Sequence, residues 1–169
     1  MKTYRLVVVL VVAVAAAMTV VQVGSSAESI AVRGDQWTLR AELPPCDNNN
    51  ADTYRMTGDL VGCWYTESFD VTQSKDNAGG SFKASGSEHF VGCLNTNGNA
   101  SCDRGEPSGE FWTTFTFTAK LDPSGSEIHG RCHHPIVRGR GDFQNISGVL
   151  SFKDIPSEGQ FPYHGNLQF

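Results

Sequence analysis

An all-β domain of eight short antiparallel strands, arranged as a sandwich or a barrel, is what this sequence predicts, and three observations predict it. No stretch after residue 27 keeps a helical period over three turns. Runs with strand character recur at short, regular spacing between turn signals. The clearest of them, 111–121, alternates strictly: Phe111, Thr113, Phe115, Phe117, Ala119 and Leu121 share one face, and Trp112, Thr114, Thr116, Thr118 and Lys120 share the other. Period two with a threonine-rich outer face is the mark of a half-buried antiparallel strand.

The chain has 169 residues, and its start reads as something removed before folding. Lys2 and Arg5 form a positive head, residues 6–21 are apolar at every position but Thr19, and Ser25-Ser26-Ala27 supplies small residues for cleavage. Residues 1–27 are therefore expected to be a secretory signal peptide and 28–169 a β-barrel or sandwich domain. The apolar run of 16 residues is short for a bilayer span. Removing Lys2 and Arg5 leaves 11 basic residues against 18 acidic ones, a net charge of −7. That balance argues against nucleic acid as a partner, and against a membrane surface once the signal is cleaved.

The strand runs follow in order. Residues 37–43 come first, ended by Pro44-Pro45 and the turn-forming Cys46-Asp47-Asn48-Asn49-Asn50. Residues 54–66 and 69–73 follow, and 75–80 make a turn. Residues 82–94 put Phe82, Ala84, Gly86, Glu88, Phe90, Gly92 and Leu94 on one face, which leaves a carboxylate among apolar neighbours and His89 pointing the other way. Residues 110–121 and 127–137 are joined by Asp122-Pro123-Ser124-Gly125, a hairpin signal. Residues 149–153 and 163–169 complete the eight.

Five cysteines, Cys46, Cys63, Cys93, Cys102 and Cys132, lie in the expected mature chain. In an exported protein of this size disulfides are their default use. Cys93 and Cys102 bracket a turn-forming stretch and are expected to bridge the neck of its loop. Spacing does not assign the other three; we favour Cys63 with Cys132, leaving Cys46 free or paired to another chain. Asn99 and Asn145 begin glycosylation sequons. The asparagine-rich stretch from Asn95 to Asn99 misplaces its glycine for a calcium loop.

Gly139-Arg140-Gly141-Asp142-Phe143-Gln144-Asn145-Ile146-Ser147-Gly148, followed by the strand Val149-Leu150-Ser151-Phe152, resembles a signature of allene oxide cyclases and dirigent proteins. The approach through Gly109-Glu110-Phe111 and Phe115-x-Phe117 is similar to theirs too. The resemblance covers roughly the last 60 residues. It implies a single eight-stranded antiparallel β-barrel, with Phe143 packed inside one end and a small lumen used for small hydrophobic molecules. No residue in 37–43 matches the substrate-polarising acid of the cyclases, so the carry-over stops at the fold.

The candidate chemistry centres on Glu88. Desolvation disfavours the charged form of a carboxylate inside an apolar barrel, which suits it to act as a general acid or to polarise a bound oxygen. Phe90, Phe115, Phe117 and Trp64 are expected to line the ligand site, although the weak alternation around Trp64 leaves open whether it or Tyr65 points inward. His134 is expected to face inward with Ile128, Cys132 and Ile136. His129 and His133 lie four apart in a strand, roughly 13 Å, and His133 and His134 point to opposite faces, so no metal and no cofactor are expected. Two functions follow from the resemblance: a secreted barrel that binds a small hydrophobic ligand, as dirigent proteins do, or a cyclase or isomerase that folds such a substrate. An inhibitor presenting the Cys93–Cys102 loop is a third reading.

Overall fold

The computed structural model describes residues 28–38, 46, 53–74 and 80–169. Within them eight strands close into one antiparallel barrel in sequence order. They are β1 (Ser29–Thr38), β2 (Thr53–Gly58), β3 (Leu60–Ser74), β4 (Ser81–Leu94), β5 (Ser108–Leu121), β6 (Glu127–Gly141), β7 (Ser147–Asp154) and β8 (Gln160–Gln168). The barrel closes through β1 and β8, whose register runs from Ser29 opposite Gln168 to Trp37 opposite Gln160. The expected signal peptide, residues 1–27, lies outside the described residues. Among the described residues no helix is long and apolar enough to cross a membrane.

The eight-stranded barrel is as expected, but two strand positions are not. The first strand starts at Ser29 rather than at Trp37, and residues 39–43 lie outside the described residues. Gly34, which interrupts the apolar pattern of β1, sits where a Cβ would press on Thr57 O and Tyr163. It is there for close approach rather than as a strand breaker. The expected strands 54–66 and 69–73 are instead β2 and β3, divided by a tight turn at Gly58, whose φ is 97°. Asp59 in that turn is latched to β1: it donates its N–H to Arg33 O at 3.0 Å, and its side chain accepts from Arg33 N at 2.8 Å.

The two ends of the barrel differ. One end is plugged. Phe143, fully buried, packs against Phe90, Phe111 and Phe169 at 5.8–6.3 Å between ring centroids. Its turn is tied by hydrogen bonds from Phe143 N to Arg140 O and from Ile146 N to Phe143 O. Gly139 is required beneath it, because a Cβ there would collide with the Phe143 carbonyl. Below the plug Trp64 fills the middle of the barrel, ringed by Phe90, Phe111, Phe152 and His134. Trp64 therefore points inward and Tyr65 outward. Burying such rings is worth roughly 1.5–3 kcal/mol each.

Two disulfides are present. Cys93–Cys102 closes its loop as expected. Just past that loop the Glu106 carboxylate accepts from Thr96 N at 2.8 Å and Asp103 N at 2.9 Å, and these bonds hold its pKa low. The favoured pairing of Cys63 with Cys132 is overturned: Cys63 bonds Cys46, and Cys132 is the free thiol. Strand parity explains this. Trp64 faces inward, so Cys63 faces outward, whereas Cys132 sits on the lumen side of β6 opposite Phe117. Disulfides of this kind persist in oxidising compartments.

Candidate functional site

Away from the plug, the lumen holds a cavity of about 480 Å³. Barrels of eight strands have interiors that side chains just fill or that admit one small ligand, and this one is of the second kind. Its walls are largely aromatic, with Tyr54, Phe69, Phe82, Phe115, Phe117 and Phe161 among them. The polar lining consists of Gln36, Thr66, Glu88, Glu127, Cys132, His134 and Asp154.

Glu88 lies on the inner face of β4, where the alternation from Phe82 to Leu94 runs unbroken against β5. His134 lies on the inner face of β6, and β5 separates the two strands. The His134 Nε2 and Glu88 Oε2 atoms approach to 2.6 Å, with both side chains almost wholly buried. The contact is electrostatic and off the line of a hydrogen bond: Oε2 has no hydrogen-bond partner, nor has His134 Nδ1. The other Glu88 oxygen accepts from Thr66 Oγ1 at 3.1 Å. The His134 ring meets Trp64 edge to face at 5.4 Å and Phe152 at 4.6 Å, so the pair stands on the apolar middle of the barrel as the floor of the cavity.

Higher in the cavity are two more carboxyls. Burial, reinforced by the charge of Asp154, raises the Glu127 pKa to about 7. Burial raises that of Asp154 to about 6; His134 pulls it down and Glu88 pushes it up. The Cys132 thiol is driven upward by burial and then by the Glu88 and Asp154 charges, so it stays protonated and is a poor nucleophile. The Glu127 Oε1 atom is buried without a hydrogen-bond partner.

The expected residues divide as follows. Glu88, His134, Phe115 and Phe117 line the cavity. Trp64 and Phe90 do not; both are fully buried in the apolar core beneath it. Ile128, expected to share the His134 face, is instead half exposed. It is the extra residue of a β-bulge, since Lys120 pairs with His129 and Leu121 with Glu127. The bulge reverses the alternation and turns Glu127 inward, which period-two reasoning misses. A second bulge at Glu67 does the same for Phe69, because Thr66 pairs with Glu88 and Ser68 with Ser87. No sequence signal marks either bulge. Asp154, by contrast, lies an even number of residues beyond Phe152 and was within reach of the alternation.

His89 points outward as expected and stacks on Trp112 at 4.3 Å between ring centroids. Arg138 covers the same indole at 3.9 Å. Among the described residues, no group of three His, Cys, Asp or Glu side chains is placed to hold a metal ion. Compared with known proteins, the chain matches no protein-family model, and no curated protein matches it.

Proposed function

We propose that this protein is a secreted barrel that binds a small hydrophobic ligand in its lumen, in the manner its resemblance to dirigent proteins implies. The observation that carries the reading is the aromatic-walled cavity of about 480 Å³ with the Glu88–His134 pair at its floor. Ligand sites are typically apolar pockets of this size with a few convergent polar groups that set orientation. The two disulfides and the apolar segment of residues 6–21 support export.

Titration with N-phenyl-1-naphthylamine, an uncharged aromatic dye, tests it. One dye should bind per barrel with enhanced emission. Cys132→Phe, which fills the lumen from β6, should abolish binding while the thermal transition persists. Dye binding that survives this substitution would place the ligand elsewhere and defeat the reading. The Glu88–His134 pair also favours a second reading, a cyclase or isomerase in which orientation does most of the work and the pair stabilises developing charge. That reading requires turnover to fall on Glu88→Gln in a barrel that remains folded.

A further inference from the structure

The charges around the lumen are lopsided. Three carboxyls, Glu88, Glu127 and Asp154, line it, and among the described lining residues His134 is the one basic side chain, with no lysine or arginine beside it. His134 is engaged by Glu88. Burial raises the proton affinity of both Glu127 and Asp154; Glu127 also feels the negative charge of Asp154, and Asp154 lies between the opposing charges of His134 and Glu88. Buried polar atoms without hydrogen-bond partners are costly, and beside the Glu88–His134 contact two occur here: Glu127 Oε1 and His134 Nδ1. His134 is itself only 4 % exposed.

We propose that the lumen ligand is a protonated primary or secondary amine carried on a small apolar or aromatic body. The inference rests on the lumen-binding reading and narrows it to a ligand class. A carboxylate ligand would bring a fourth acid among three. A neutral hydrocarbon would strip water from the carboxyls and give them nothing in return. An ammonium supplies both the missing charge and N–H donors to the acids. The aromatic wall suits it equally, because the faces of Phe69, Phe82, Phe115, Phe117 and Phe161 attract a cation while packing its apolar body. An inorganic cation is not the better occupant, since among the described residues no three ligating groups converge.

Calorimetric titration of the wild-type protein with three molecules of one shape tests this: 1-naphthylmethylamine, 1-naphthalenemethanol and 1-naphthoic acid. The amine should bind about tenfold or more tighter than the alcohol, and the acid most weakly. Glu127→Gln and Asp154→Asn should each narrow the preference of amine over alcohol. Equal or tighter binding of the alcohol or the acid would overturn the amine assignment and leave lumen binding intact, provided Cys132→Phe blocks it. If none of the three binds, the amine assignment and the lumen-binding reading fall together.

Discussion

Glu127 and Asp154 make the stability of this barrel depend on pH in an unusual direction. In the unfolded chain both carboxyls release their protons near pH 4. In the folded barrel burial holds those protons to about 7 for Glu127 and about 6 for Asp154. Between these limits the folded state binds more protons than the unfolded one, so stability falls as pH rises. Their contribution is complete below about pH 4 and gone above about pH 7. The carboxyls of Glu106 and Asp122 are shifted the other way by hydrogen bonds, chiefly from Asp103 N–H and from the Ser124 hydroxyl. Their contributions are lost only below about pH 4 and leave this window untouched. The melting temperature should therefore drop as pH rises from 5 to 7.5, and Glu127→Gln should flatten the drop. A melting temperature that climbs over this range would contradict the burial assigned to both groups.

At the scale of the strand, bulges decide what the lumen contains. A bulged residue is an extra one, so deleting it leaves the inward and outward faces on either side unchanged. Deleting Ile128 should keep Glu127 inward and cost about 1 kcal/mol of stability. Deleting Arg131, from the regular stretch of β6 that pairs Gly130 with Ala119 and Cys132 with Phe117, should prevent folding by reversing one half of the strand. Urea unfolding of both deletions checks the contrast, and equal damage from the two would refute it. The same contrast explains which features were legible in the sequence. Glu88 was legible because β4 carries no irregularity against β5. Phe143 was legible because glycines flank it and a strand follows. Glu127 and Phe69 were hidden because each lies just past a bulge at an ordinary residue, Ile128 or Glu67. The Cys46–Cys63 bridge was hidden because weak alternation in β3 concealed which way Cys63 faces. The early start of β1 was hidden because Gly34 interrupts its apolar pattern, while the structure uses Gly34 to admit Tyr163, whose hydroxyl accepts from Leu60 N at 2.8 Å.

Over the whole molecule, closure through β1 and β8 joins the most distant parts of the domain. Ser29 stands directly opposite Gln168, at the end that Phe143 plugs, while the cavity lies toward the opposite end. Paired residues in an antiparallel ladder are roughly 5 Å apart, so the two ends of the described domain are near neighbours. A linker of about four residues would connect Phe169 to Glu28 without strain. New ends could then be opened in the exposed turn at Pro123 and Ser124 between β5 and β6. Such a circular permutant should fold, keep both disulfides and melt within a few degrees of the parent; a molten product by near-ultraviolet circular dichroism would count against the closure. The same adjacency has a practical side. A fluorophore, tether or fusion partner attached at Phe169 emerges behind the barrel, so the protein can be immobilised by its tail with its mouth facing the solution.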